Sequence, residues 1–277
     1  MVFVRIKLMY LTIDVGGTKT LVALFNHNYK LIGKTKIVTN SSYHHFLKDL
    51  KKAIDNLAFY DFDYIGIAMP GIVNSLSGEI IHGGVNLSWE NTNPVIDLHK
   101  IYSKPVFIGN DANLAGLYES TYFKDSFSRL MYLTISTGIG GSFYVNQQMD
   151  SQLASFEPGK IILDHNGQKI EWEKFASGKS IVETYGMFAR EIKDESIWKE
   201  IAENIAKGLL TIVPVIQPEV ITFGGSIGTF FDKYSRYLNQ SIAKELDTAI
   251  PRPRLIQANK PEEAVVYGCL EMIKLNA

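Results

Sequence analysis

The chain repeats one local pattern, in which two apolar runs are joined by a glycine-rich turn. The first copy covers residues 8–25 and turns at Gly16-Gly17, and the second covers residues 130–145 and turns at Gly138-Ile139-Gly140-Gly141. Extended runs joined by such turns predict β-hairpins. Because the pattern recurs, the sequence predicts an internal structural repeat, with one glycine turn in each of two lobes.

The first turn carries the polar groups that a polyphosphate and its metal ion require. Asp14 ends the first run, and Thr18 and Lys19 follow the two glycines with a hydroxyl and an amine. Backbone N–H groups in a tight turn point at phosphate oxygens, and glycine lets the backbone approach closely. An aspartate can hold Mg²⁺ directly or through water. The turn therefore indicates a polyphosphate site, and an ordinary hairpin turn with solvated charges is the alternative.

Composition narrows the class of ligand. The 277 residues contain 28 basic and 29 acidic side chains without a long block of one sign, which argues against nucleic-acid binding. The single cysteine, Cys269, excludes a disulfide framework and a cysteine-rich zinc site, so we expect a reducing, cytoplasmic location. Residues 1–7 have the features of neither a signal peptide nor a membrane span. The expected ligand is a small molecule.

The first half of the chain reads as a mixture of strands and helices. A third strand is predicted after the first hairpin, followed by a helix that begins near Ser41. The apolar run at residues 64–69 is typical of a buried parallel strand, and Pro70-Gly71 ends it. Residues 72–104 are rich in polar residues and glycine, which predicts a long loop with one short strand pair. A further strand then leads into a helix opened by Gly109-Asn110-Asp111.

The second half continues the alternation after the repeated hairpin. Apolar residues at helical spacing predict a long amphipathic helix over residues 197–212. The run at 219–223 predicts a strand that ends in a third glycine turn, Gly224-Gly225. A last helix is predicted after Pro261.

Five motifs occur in one order along the chain: the Asp14 to Lys19 turn, Pro70-Gly71, Asn110-Asp111, the turn at residues 136–141, and Gly224-Gly225. In this order they resemble the ROK family of sugar kinases and sugar-responsive repressors, within the actin-like, hexokinase-like ATPases. The resemblance implies an α/β fold with two ribonuclease-H-like lobes, whose mixed sheets are flanked by helices, and a ligand cleft between them. It places the smaller lobe at residues 1–109 and 262–277 and the larger at residues 110–261.

The resemblance also implies roles for individual residues. Asp111 would be the catalytic base, and Asp14 would organise Mg²⁺. ATP would be held by the three glycine turns, through Gly16, Gly17, Thr18, Lys19, Thr137, Gly138, Gly140, Gly141, Gly224 and Gly225. A sugar would be bound by Asn86, Asn110, Asp111, Glu157, Lys160 and Glu173. The alternatives are a helix cap for Asp111 and solvated surface charge for the glutamates.

One segment departs from the family pattern. Many members carry Gly-Glu-x-Gly-His followed by a cysteine-rich zinc loop, whereas this chain has Glu157-Pro158-Gly159-Lys160 and no cysteine before Glu173. A structural zinc ion is therefore not expected. Lys160 places a fixed positive charge where the family has an imidazole, and we hypothesise that it donates to a sugar hydroxyl or to an acidic or acyl substituent.

The function that follows is ATP-dependent phosphorylation of a hexose at its 6-hydroxyl by a cytoplasmic, glucokinase-like homodimer with Mg²⁺ as cofactor. Its partner is a monosaccharide, without nucleic acid or membrane. The alternatives are a kinase for an N-acetylhexosamine, fructose or a sugar acid, a sugar sensor without catalysis, and a module that hydrolyses ATP without an acceptor. Fold-level resemblance fixes a reaction class better than a substrate.

Overall fold

The computed structural model describes residues 8–57, 61–83, 87–149 and 153–277. The chain divides into two compact units, of which unit 1 comprises residues 1–115 and 265–277, and unit 2 comprises residues 116–264. The strands are β1 Tyr10–Val15, β2 Lys19–Phe25, β3 Leu31–Val38, β4 Tyr64–Met69, β5 Ile72–Val73, β6 Ile80–His82, β7 Val106–Asn110, β8 Arg129–Ile135, β9 Ile139–Val145, β10 Ile162–His165, β11 Gln168–Glu171, β12 Val220–Gly224 and β13 Arg254–Gln257. The helices are α1 Tyr43–Leu57, α2 Pro94–Tyr102, α3 Asp111–Tyr122, α4 Glu173–Ala176, α5 Gly178–Tyr185, α6 Glu195–Ile216, α7 Gly225–Gly228, α8 Phe231–Glu245 and α9 Ala264–Asn276.

Unit 1 is built on a five-stranded mixed sheet in the order β3-β2-β1-β4-β7. The hairpin predicted around the first glycine turn is confirmed, because β1 and β2 pair antiparallel, and β3 extends the hairpin. Strands β4 and β7 then add in parallel to β1. Apolar side chains of α1 and α2 pack on one face of the sheet and those of α9 on the other. Burial on both faces explains the nearly continuous apolar runs of β1 and β4.

The register of this sheet places the polar residues of unit 1 at one edge. Asp14 near the end of β1 pairs with Ala68 near the end of β4, and Asn110 at the end of β7 pairs with Met69. Because β1, β4 and β7 are parallel, their carboxyl ends lie at the same edge, where α/β sheets bind ligands. The edge therefore carries Asp14 and the Asn110-Asp111 pair.

The segment at residues 72–104 differs in part from the prediction. The predicted short strand pair is present as β5 and β6, but helix α2 was not predicted. Asn93 begins this helix by accepting a hydrogen bond from the backbone N–H of Ile96, and Pro94 occupies its first turn. Only Pro94 and Leu98 of the helix are buried. Because so few of its positions are buried, this segment has few apolar residues at the helical spacing that would predict a helix.

Unit 2 is built on a four-stranded mixed sheet in the order β13-β12-β8-β9. Strands β8 and β9 form the second predicted hairpin, and β12 pairs in parallel with β8. The same layout as in unit 1, a hairpin followed by a parallel strand, confirms the predicted repeat. Helices α6 and α8 provide much of the apolar core of this unit, and β10 and β11 form a separate hairpin.

The mixed sheets with helices packed against them confirm the predicted α/β class. No helix in the described parts of the chain is long and apolar enough to cross a membrane.

Candidate functional site

Two backbone hydrogen bonds fix the conformation of the first glycine turn. Within the turn, the N–H of Gly16 donates to the carbonyl oxygen of Lys19 at 3.0 Å. A Cβ atom at Gly16 would lie only 2.9 Å from that same oxygen, so the close approach requires glycine. The carbonyl oxygen of Thr18 accepts a hydrogen bond from the N–H of Thr39, just after β3, at 3.0 Å. The turn thus presents the exposed side chains of Thr18 and Lys19 on a defined backbone.

Two carboxyl groups of unit 1 influence each other electrostatically. Burial of the Asp14 carboxyl group, together with the negative charge of Asp111, raises the pKa of Asp14 to about 7. The positive charge of Lys36 on β3 lowers this pKa in part. Two carboxylates with incomplete compensation favour a divalent cation, which would offset their repulsion.

The residues of unit 1 therefore fit Mg²⁺ at Asp14. Among the described residues, no group of three or more His, Cys, Asp or Glu side chains is arranged to hold a metal ion. Magnesium usually takes one or two protein carboxylates and completes its shell with water and substrate phosphates. One aspartate beside a turn that is predicted to bind phosphate is consistent with this coordination.

Two hydrogen bonds hold the side chain of Asn110 at the junction of β7 and α3. Its side-chain amide donates to the carbonyl oxygen of Gly71 at 2.9 Å, which ties the Pro70-Gly71 turn to this junction. Its side-chain oxygen accepts a hydrogen bond from the N–H of Asn113 at 3.0 Å. This is the bond that an N-cap residue makes, so Asn110 caps the helix. Asp111 consequently lies in the first turn of α3, where the helix dipole favours a carboxylate.

The second glycine turn, in unit 2, is closed by backbone hydrogen bonds. The N–H of Ser136 donates to the carbonyl oxygen of Gly138 at 2.9 Å, and the N–H of Gly178 donates to the carbonyl oxygen of Ser136 at 2.6 Å. Thr137 is exposed at the tip of the turn. The predicted residues Gly140 and Gly141 continue from the turn into β9.

The third glycine turn packs directly against the second. Gly225 has a φ of +76°, which side chains rarely adopt, and a Cβ atom there would lie 2.6 Å from the carbonyl oxygen of Ile135. The N–H of Gly225 donates to the carbonyl oxygen of Pro261 at 2.9 Å. The hydroxyl group of Ser226 lies 3.4 Å from that of Ser136. Unit 2 therefore brings together the two turns that were predicted to contact a nucleotide.

The predicted sugar-binding residues of unit 2 form one cluster. The Lys160 amine bonds to Oε1 of Glu173 at 2.5 Å and lies 3.4 Å from Oε2 of Glu171. The N–H of Ile139 donates to Oε2 of Glu173 at 3.2 Å, and the Glu173 side chain is only 15% exposed. Solvated surface charge therefore does not describe Glu173. Burial raises the pKa of the nearby Glu157, whereas the Lys160 charge lowers it.

Three further residues bear on the predicted site: Asn86, which was predicted, and Lys36 and Glu171, which were not. Asn86 lies outside the described residues. Sequence reasoning did not single out Lys36 or Glu171. Lys36 and Asp14 both pair with Leu21 of β2, so they share one face of the sheet, and the strand alternation of β3 could have indicated this. Glu171 has no such indication, because its relation to Lys160 depends on how β11 folds back.

Two other polar or aromatic residues have structural roles. The His165 ring stacks on Phe175 at 4.4 Å between ring centres, and a lysine amine lies 3.4 Å from its Nδ1. Trp89 is buried, packs against Phe46 and donates its indole N–H to the carbonyl oxygen of Ser41 at 2.7 Å. Both residues thus pack their own segments against neighbouring ones.

Comparisons with known proteins identify the family of this chain. The sequence pattern of the ROK family matches residues 10–275. A glucokinase of Pyrobaculum calidifontis is 26% identical over an alignment of 263 residues, and the match covers 86% of each chain. An N-acetylmannosamine kinase of Vibrio vulnificus is 28% identical over an alignment of 193 residues, and the match covers 61% of this chain and 66% of the relative.

The fold also matches solved structures. A ROK family glucokinase from Streptomyces griseus, solved with glucose and AMPPNP, superposes with a TM-score of 0.84 at 18% identity, covering 95% of this chain and 98% of the other. The actin-like ATPase fold predicted from the motifs is thereby confirmed, as is the predicted sugar kinase class. The protein belongs to the ROK family.

Proposed function

We propose that the protein transfers the γ-phosphoryl group of ATP to a hydroxyl group of a hexose, at the 6-position, in a glucokinase-like reaction. The observation that carries this proposal is the placement of Asp111. It begins α3 at the carboxyl edge of the unit 1 sheet, next to the locked Asn110 and within electrostatic reach of Asp14. The helix N-terminus favours the ionised form of a carboxylate, which is the form that can accept a proton.

In the proposed reaction, Asp111 acts as the general base. A sugar hydroxyl is a weak nucleophile, and the Asp111 carboxylate accepts its proton as the hydroxyl oxygen bonds to the γ-phosphorus. The bond between that phosphorus and the bridging oxygen breaks, and the products are a sugar phosphate and ADP. Magnesium, when bound at Asp14, would neutralise charge on the phosphate oxygens. The metal ligand and the base are then separate carboxylates, Asp14 on β1 and Asp111 at the start of α3.

We assign the three glycine turns to ATP. The N–H of Gly16 closes the turn on the carbonyl oxygen of Lys19, so the N–H groups of Gly17 and Thr18 would contact the phosphate oxygens. The amine of Lys19 adds a positive charge. In unit 2, the turn from Thr137 to Gly141 would also contact phosphates. The Gly224-Gly225 turn that packs against it would lie by the adenosine. The Streptomyces griseus glucokinase of similar fold was solved with AMPPNP, which supports ATP as the nucleotide.

We assign the sugar to Asn110, Asp111, Glu157 and Glu173, with Asn86 as a further candidate. Paired carboxylate and amide groups are the natural partners of sugar hydroxyls. The relatives are named as a glucokinase, N-acetylhexosamine kinases and fructokinases, so we propose glucose as the acceptor with an N-acetylated hexosamine and fructose as the alternatives.

A panel assay tests this proposal. Purified protein is mixed with Mg-ATP and with glucose, fructose, N-acetylglucosamine, N-acetylmannosamine or a hexuronic acid, and ADP release and the phosphorylated product are measured. We expect sugar-dependent ADP release with at least one neutral sugar and a product phosphorylated at the 6-position. Release of ADP at the same rate without any sugar would indicate a nucleotide hydrolase instead. Sugar binding without phosphorylation would indicate a sensor.

A further inference from the structure

Lys160 connects two carboxylates that belong to different elements. It ends the short turn Pro158–Lys160, and its amine contacts Glu171 at the end of β11 and Glu173 at the start of α4. The hydrogen bond to Glu173 raises the pKa of Lys160 above its usual value, so the amine carries its charge. Two of its three N–H groups are thereby directed at carboxylates of the protein itself.

The second carboxylate oxygen of Glu173, Oε2, lies close to the backbone of Gly138 and Gly159, where a side chain would crowd it. Besides accepting the N–H of Ile139, Oε2 would lie 2.5 Å from a Cβ atom placed on Gly138 and 3.1 Å from one placed on Gly159. One oxygen of the carboxylate is thus directed by Lys160 and the other by the backbone of the second glycine turn. Each oxygen keeps lone-pair capacity for one further donor.

We propose that Lys160 is a positioning residue, whose ammonium group holds the Glu173 carboxylate against the second glycine turn so that Glu173 can accept a hydrogen bond from a sugar hydroxyl. This inference depends on the proposed function for the role of Glu173. It replaces the hypothesis that Lys160 itself donates to a hydroxyl group or to an acidic or acyl substituent of the sugar.

The charge of the cluster also defines the class of substrate. Three carboxyl groups, those of Glu157, Glu171 and Glu173, face two ammonium groups, those of Lys160 and the more exposed Lys174. A further carboxylate on the sugar would add repulsion that a lysine already paired with two glutamates does not offset. The cluster therefore suits a sugar without a carboxylate, and the sugar acids among the alternatives are disfavoured.

Substitutions at Lys160 test the positioning role. We expect Lys160→Met to raise the KM for the sugar about 10- to 100-fold, because the carboxylate is no longer held in place, while the KM for ATP changes little. Lys160→Arg should restore most of the affinity. Lys174→Met is the matched control, since Lys174 is exposed and lies 3.9 Å from Glu171 as its ion-pair partner. In a Glu173→Gln background, Lys160→Met should add little further loss.

Crystal structures of the wild type and Lys160→Met without ligands separate this inference from the proposed function. We expect the Glu173 carboxylate to leave the N–H of Ile139 in the variant. A Glu173 carboxylate that stays in place, an unchanged sugar KM, or a loss confined to acidic sugars would each overturn the inference. If the wild type phosphorylates no sugar, the proposed function fails, and the crystal structures still decide whether Lys160 positions Glu173. Should Lys160→Met not fold, Lys160→Gln serves in both experiments.

Discussion

At the scale of single residues, Glu119 of α3 shows how a buried charge organises a loop. Its carboxyl group is fully buried and accepts the N–H of Asn259 at 3.0 Å. Burial raises the pKa of Glu119 to about 7, although the N–H groups of Asn259 and Lys260 lower it in part. The same loop continues to Pro261, whose carbonyl oxygen accepts the N–H of Gly225. Glu119 thus fixes the segment that supports the third glycine turn.

The elevated pKa of Glu119 predicts a pH-dependent stability. With a pKa of about 7 in the folded protein and about 4.3 when unfolded, the folded state binds more protons between these values. The free energy of unfolding therefore decreases as the pH rises through this range. Relative to Glu119→Gln, which does not titrate, the wild type should lose about 1–3 kcal/mol of stability between pH 5 and pH 8.

Denaturant unfolding at several pH values measures this difference. Glu245→Gln, at an exposed position of α8, is the control and should shift stability equally at all pH values. If wild type and Glu119→Gln follow parallel curves from pH 5 to pH 8, the carboxyl group has an ordinary pKa and the explanation is wrong.

At the scale of elements, the long helix α6 packs closely against the indole ring of Trp172. Trp172 is fully buried and donates its indole N–H to the carbonyl oxygen of Asn204 at 3.0 Å. A Cβ atom at Gly208, one turn further along α6, would lie 2.1 Å from Cε2 of Trp172. The glycine in the middle of this helix therefore lets the indole reach the helix backbone. Trp172 immediately precedes Glu173, so the same packing fixes the start of α4.

This contact predicts the sign of a substitution. Alanine is favoured over glycine in helices by about 1 kcal/mol, but here the added methyl group would displace a buried ring. We expect Gly208→Ala to lower the free energy of unfolding by about 1–3 kcal/mol. Thr211→Ala, at an exposed position of the same helix, should change it by less than about 0.5 kcal/mol. Chemical unfolding compares the variants, and a Gly208→Ala protein more stable than the wild type would refute the packing argument.

Elements were predictable from sequence where burial imposes a pattern. The two hairpins and helix α6 follow from apolar periodicity, because each is covered on at least one face. Helix α2 was missed for the opposite reason, although the Asn93-Pro94 start was visible in the sequence. The helix-capping residues alone, without apolar periodicity, could have indicated the start of α2.

At the scale of the whole molecule, each unit contributes one part of the proposed chemistry. Unit 1 holds the Asp14 turn and Asp111, and unit 2 holds two glycine turns and the Glu173 cluster. The position of Asp111 in the motif order allowed its prediction from sequence. The motif order does not indicate Lys36 or Glu171. The register of β3 brings Lys36 to the face of the sheet that carries Asp14, and the reversal of the chain at β11 brings Glu171 to Lys160. The predicted homodimer stays a prediction.

The central claim is that Asp111 is the base in a sugar kinase, and the steady-state rate of phosphoryl transfer by Asp111→Asn tests it most directly. Asparagine keeps the size of the side chain and removes its ability to accept the proton. We expect kcat to fall about 10²- to 10⁴-fold with the preferred sugar, while the KM values for ATP and sugar change by less than about threefold. A variant that transfers phosphate at the wild-type rate would contradict the account.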